Sequence, residues 1–80
     1  MFYSYILISE KTSRHYYGHC EDLEIRLKRH NAGKVRSTKA YLPWKIQYFE
    51  EFPTRAEAAK REKFYKSING YQWLQSAGII

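Results

Sequence analysis

The chain opens on strict alternation. Over Phe2–Ser9, Tyr3, Tyr5 and Leu7 fall on one side of an extended backbone and Ser4, Ile6 and Ile8 on the other, the period of two that a strand requires. Both sides carry apolar groups, which predicts a strand covered on both faces. Polar Glu10–Ser13 reads as a turn, and Arg14–Tyr17, ended by Gly18, reads as the antiparallel partner that completes a hairpin. The period then changes. Over Cys20–Asn31, Leu23 and Leu27 recur at helical spacing, with Glu21, Asp22 and Glu24 in the first turns and Lys28, Arg29 and His30 in the last, as a helix dipole favours. Arg26 and His30 flank that leucine stripe, so the guanidinium there needs an anion beside it or a cleft in which one can arrive.

Gly33–Pro43 has no periodicity and reads as a basic loop lying over a binding surface. Trp44–Phe52 resumes strand character, and Pro53 closes it. Thr54 followed by Glu57 is a capping box, which predicts a helix over Arg55–Ser67 with Asn69–Gly70 as its terminator. On that helix Ala58, Glu62 and Tyr65 share a face, placing Glu62 among small and aromatic neighbours. Either an Arg or Lys satisfies this carboxylate or it holds a metal ion. Tyr71–Ile80 reads as a short helix that returns Trp73, Leu74 and Ile79 to the sheet. The order ββαβα plus a short C-terminal helix defines an α+β fold.

Length and composition narrow the class. With 80 residues the chain suits one small domain, 1–80, and at 44% hydrophobic with eight Tyr, four Phe and two Trp it has the apolar surface to fold. The longest apolar run, Tyr5–Ile8, is far short of the roughly 20 residues of a membrane span, and no leader is evident, so a cytoplasmic protein without a membrane partner is expected. Lone Cys20 excludes an intrachain disulfide and a zinc site of paired cysteines, and reads as a small buried hydrophobe rather than a nucleophile.

Charge adds a candidate partner. Fourteen Lys and Arg against eight Asp and Glu give a net charge of +6 and a pI near 9.6. Ile25–Phe49 holds Arg26, Lys28, Arg29, Lys34, Arg36, Lys39 and Lys45 without one acidic residue. Such a segment either keeps the domain in solution or pairs with phosphates, and the interleaved Tyr41, Trp44 and Tyr48 are candidates to stack on unpaired bases. Tyr5, Tyr16, Arg26, His30 and Glu62 together contain what phosphodiester cleavage needs: a base, positive charge for the pentacovalent phosphate, and a carboxylate for a cation. A Tyr serving as base needs a metal or Arg to lower its pKa.

The order of these residues resembles the GIY-YIG nuclease domain. The first strand reaches Tyr5, Tyr16-Tyr17-Gly18 follows, then Asp22-Leu23-Glu24-Ile25-Arg26-Leu27 with His30-Asn31, the basic Asn31-Ala32-Gly33-Lys34, and Arg61-Glu62-Lys63 on the later helix. The resemblance spans about residues 2–66. It implies a small three-stranded antiparallel sheet flanked by helices, and an endonuclease using a single Mg²⁺ or Mn²⁺ and no small-molecule cofactor, as in nuclease modules of DNA repair and intron homing. The implied partner is DNA; the charge pattern suits RNA as well. By the resemblance Tyr16 is the base, Tyr5 its neighbour and hydrogen-bond partner, Gly18 the closing glycine of the second motif, and Arg26 the stabiliser of the scissile phosphate. His30 matches a nearby His or Tyr, Glu62 is the metal ligand, and His19 takes a position where relatives use Lys to help position the nucleophile. Tyr3, Ser4 and Tyr17 depart from the family's Gly and Ile. A module that binds nucleic acid without cutting it, and an interaction protein whose charge is incidental, are the readings from other classes.

Overall fold

Strand β1 (Phe2–Ser9) lies in the middle of a three-stranded antiparallel sheet, between β2 (His15–Cys20) and β3 (Trp44–Phe52), in a computed structural model that describes residues 1–80. The central position explains the two-sided apolar pattern. On one face Tyr5, Leu7, Cys20 and Trp44 pack with Leu23 and Leu27 of α1 (Leu23–Asn31). On the other, Ile6 packs with Tyr65 of α2 (Arg55–Tyr65) and Leu74 of α3 (Ile68–Ser76). Cys20 is a buried free thiol, and burial raises its pKa, which removes it as a nucleophile.

β1, β3 and the start of α2 lie where the sequence predicts them, and the Thr54 hydroxyl accepts from the Glu57 amide as the capping box requires. Several boundaries differ: α2 ends at Tyr65 rather than Ser67, and the last helix runs Ile68–Ser76 rather than over Tyr71–Ile80. β2 continues past Gly18 because its pairing with β1 continues, Tyr5 opposite Gly18, Ser4 opposite His19 and Tyr3 opposite Cys20. That leaves Cys20 in the sheet, so α1 begins only at Leu23, where the Asp22 carboxylate accepts from the Ile25 amide at 3.0 Å. Asn69 and Gly70 do not terminate a helix but lie in the first turn of α3, capped by the Ser67 hydroxyl on the Gly70 amide. Gly70 is there for packing: a Cβ on it would fall 1.7 Å from the Phe64 carbonyl oxygen.

The basic loop contains one short 3-10 turn, Lys39–Tyr41. It is fastened to the sheet from two sides. Asn31 closes α1 against β3, donating to the Trp44 carbonyl at 2.9 Å and accepting from the Trp44 amide at 2.7 Å. The Trp44 indole donates to the Thr38 carbonyl at 2.9 Å. No helix is long and apolar enough to cross a membrane.

Candidate active site

The sheet face under α1 gathers four of the residues singled out from sequence. Tyr5 projects from β1 and Tyr16 from β2, and His30, from the last turn of α1, sits between them, its ring 4.9 Å from that of Tyr16 and 6.1 Å from that of Tyr5. Gly18 opens the space. It faces Tyr5 across the β1–β2 ladder, and a side chain there would overlap the Tyr5 hydroxyl. Tyr5 and His30 are almost fully buried, whereas Tyr16 is half-buried at the rim.

The hydrogen bonds fix where the protons reside. Thr38 donates its hydroxyl proton to the Val35 carbonyl, so its oxygen accepts from His30 Nδ1, 2.9 Å away. Burial, with Arg26 and Arg29 adding positive charge nearby, pushes the His30 pKa down to about 4. The imidazole is therefore neutral near pH 7, protonated on Nδ1, and its Nε2 accepts from the Tyr5 hydroxyl at 3.2 Å. Tyr5 is thus bonded to His30, not to Tyr16 as expected; across the ladder Tyr5 stands opposite Gly18, and Tyr16, two positions further along β2, stands opposite Leu7. Burial raises the Tyr5 pKa above the ordinary tyrosine value, Tyr16 and Glu62 raise it further, and Arg26 opposes them. Tyr5 is a neutral phenol held in place.

Arg26 stands one turn before His30 on α1, whereas Glu62, on α2, meets His19, which β2 turns to the other face of the sheet. Arg26 is half-buried, forms no ion pair with any carboxylate, and lines a shallow cleft with Arg29, Arg55, Glu21 and Asp22. A guanidinium so placed is free to receive an oxyanion. Glu62 is engaged. Its Oε1 lies 2.7 Å from His19 Nδ1, and its Oε2 accepts from Lys66 Nζ at 2.6 Å. Burial works to raise the Glu62 pKa, but the bonds from Lys66 and His19 outweigh it and hold the carboxylate below its ordinary range. His19 therefore meets the carboxylate and not Tyr16, since alternation on β2 turns the two to opposite faces.

Lys28, Arg29, Lys34, Arg36, Lys39 and Lys45 are all exposed, along α1, the loop and the start of β3. The aromatics expected among them as base-stacking groups are otherwise employed. Trp44 is only 4% exposed, Tyr41 packs edge-on against it with Arg14 over its ring, and Tyr48 packs against Tyr65 on the opposite face. Sequence reasoning missed two contributors: Thr38, which sets the His30 tautomer and has no local signal, and Lys66, whose spacing of four from Glu62 was the one available clue.

A divalent ion of the Mg²⁺ type takes one or two carboxylates and fills its remaining positions with water and substrate phosphate. No group of three or more His, Cys, Asp or Glu is placed to enclose a metal. The donor here, the single partly exposed Glu62 carboxylate, fits a singly anchored hydrated cation rather than a closed protein cage.

The GIY-YIG catalytic domain family matches residues 1–72, and the chain belongs to that family. A UPF0213 protein of Bacillus licheniformis is 40% identical over 68 residues, covering 84% of this chain and 69% of that protein, and one of Clostridium perfringens is 40% identical over 76 residues, covering 94% and 81%. A match to a UPF0213 protein of Listeria welshimeri, 39% identical, covers 69% of this chain and 62% of that protein, so the chain spans less than two thirds of some of these relatives. The solution NMR structure of a UPF0213 protein from Bacillus halodurans, 31% identical, superposes with a TM-score of 0.54 over 96% of this chain and 85% of its own. The three-stranded antiparallel sheet with its helices is thus the GIY-YIG fold, and that family points to a nuclease; the names of these relatives carry no activity.

Proposed function

We propose that the protein is an endonuclease that hydrolyses DNA phosphodiester bonds with one divalent cation, Mg²⁺ or Mn²⁺. The observation that carries this reading is the cluster of Tyr5, Tyr16 and neutral His30 on one sheet face, with Arg26, one turn before His30 on α1, paired to no carboxylate. In this scheme Arg26 binds a non-bridging oxygen of the scissile phosphate, where negative charge gathers as the fifth bond forms. Tyr16, at the solvent rim, takes the proton of the attacking water. Tyr5 and His30 fix the floor of the site and exclude water from it. Glu62 holds the cation, which when bound supplies positive charge to the phosphate and the leaving oxygen. The exposed lysines and arginines of α1 and the loop carry the flanking phosphates, a term that reads shape and not sequence. α1 and α2 pack on the sheet and α3 on α2; phosphate contacts of this kind carry no sequence information, which supports selection by DNA structure.

Supercoiled plasmid incubated with the purified chain in Mg²⁺, Mn²⁺ or EDTA tests the proposal. Open circles in either metal and none in EDTA are expected; no cleavage of plasmid, branched or single-stranded DNA overturns it. A second reading, a module that binds nucleic acid without cutting, draws on the engagement of both Glu62 oxygens by His19 and Lys66. It predicts salt-sensitive DNA binding with no metal-dependent product.

A further inference from the structure

The Glu62 carboxylate has two strong hydrogen-bonding neighbours, His19 and Lys66. Their characters differ. His19 lies on β2 with about a third of its side chain exposed, held by the sheet ladder. Lys66 is the C-cap of α2, its side chain 52% exposed on a flexible four-carbon stem, against 18% for Glu62. The ammonium thus sits on the solvent side of the carboxylate, on the oxygen that His19 leaves open. A solvated cation approaching Glu62 meets Lys66 first.

We infer that Lys66 is the resident cation of the Glu62 position, a built-in counter-ion that a divalent metal must displace, and that it thereby sets the metal affinity of the site. This rests on Glu62 being the metal ligand. The physical case is one of competition. A carboxylate half withdrawn from water needs a positive partner whether or not metal is bound, and Lys66 supplies one. A divalent ion brings twice that charge and directs its ligands at fixed geometry, so it competes with, and is repelled by, an ammonium 2.6 Å from the same oxygen. Lys66 can leave because its stem is exposed and its rotamers lead into solvent. Removing its charge takes away the competitor and leaves the carboxylate more strongly in need of a cation.

Two readouts test this independently of DNA cleavage. In the first, Mn²⁺ binding to the metal-free protein is followed by the loss of the free-ion paramagnetic resonance signal, for wild type, Lys66→Met, Lys66→Arg and Glu62→Gln. Lys66→Met is expected to bind Mn²⁺ at least fivefold more tightly than wild type, Lys66→Arg within about twofold of wild type, and Glu62→Gln not measurably. In the second, acetylation of surface amines is mapped by mass spectrometry: adding Mn²⁺ is expected to raise labelling of Lys66 severalfold relative to Lys63, and Glu62→Gln to label Lys66 at the raised level without metal. Equal Mn²⁺ affinities for wild type and Lys66→Met, with binding still lost in Glu62→Gln, overturn the inference and leave the metal reading of Glu62 standing. Absence of Mn²⁺ binding in every form overturns both. A purely structural pair would lower the melting temperature of Lys66→Met without changing its affinity for Mn²⁺.

Discussion

The ring of Tyr5 lies across the backbone of Gly18, so close that a Cβ at residue 18 would stand 2.5 Å from the Tyr5 hydroxyl oxygen and 2.6 Å from its ring carbon Cζ. The two are directly opposed across the β1–β2 ladder. Gly18 is therefore required by a neighbour's side chain and not by its own backbone. Gly18→Ala forces a buried ring off its hydrogen bond to His30, and overpacking of this kind costs about 1 to 3 kcal/mol. A lower urea midpoint with an unchanged slope is the expected result; a wild-type midpoint would mean that the ring has room to move.

On the opposite sheet face the Tyr65 hydroxyl donates to Glu50 Oε1 and accepts from the Ser4 hydroxyl at 2.7 Å, with Ser4 and Tyr65 at most 1% exposed. Arg61 completes the group, its Nε donating to the same Glu50 oxygen at 2.7 Å. Tyr65→Phe leaves the Ser4 hydroxyl buried without this partner, a loss of about 1 to 3 kcal/mol. Thermal denaturation should show it, and a double change of Ser4→Ala with Tyr65→Phe should recover part of the loss. Additive losses in the double variant would contradict the pairing.

His30 makes stability depend on pH. Its folded pKa, near 4, lies below the ordinary histidine value of 6.5, so between those values the unfolded chain binds the proton that the folded one refuses. Stability should rise with pH across that window, be complete above about pH 6.5, and be lost as the pH falls toward 4, a change of about 3 kcal/mol at most. Glu62 acts in the same direction at lower pH, its depressed pKa withdrawing stability as the carboxylate protonates. Urea unfolding of wild type and His30→Gln at pH 4.5 and 7.5 isolates the histidine contribution, which should vanish in the variant. A pH dependence equally steep in His30→Gln would assign it elsewhere.

How much of this was legible beforehand depends on the range of the interactions. β1 and β3 are set by alternation, and the start of α2 by the local pair Thr54 and Glu57; each is written within a few residues. Asn69-Gly70 has the local form of a stop signal, but tertiary packing assigns Gly70 to the close approach of α3 to the Phe64 carbonyl. The extension of β2 to Cys20 is decided by its partner strand, and with it the face on which His19 lies. Because that extension was not visible, neither was the pairing of His19 with Glu62, 43 positions away. Trp44 could not be told from a base-stacking residue until its indole was seen donating to Thr38 in the core.

Arg26 separates binding from fold. It is half-buried and forms no ion pair, so Arg26→Ala should change stability little. Loss of a phosphate contact is expected to weaken DNA binding by about 1 to 3 kcal/mol and to lower the salt slope by roughly one unit, measured by fluorescence anisotropy at several salt concentrations. An unchanged slope would place Arg26 away from the backbone.

The most direct test of the account compares plasmid nicking rates of wild type, Arg26→Ala, Tyr16→Phe and Glu62→Gln in Mn²⁺, each shown to be folded by circular dichroism. Metal-dependent nicking by wild type, reduced at least a hundredfold in all three variants, is the predicted result, about 3 kcal/mol or more of transition-state stabilisation for each group. Nicking at the wild-type rate by folded Glu62→Gln would contradict the account at its centre.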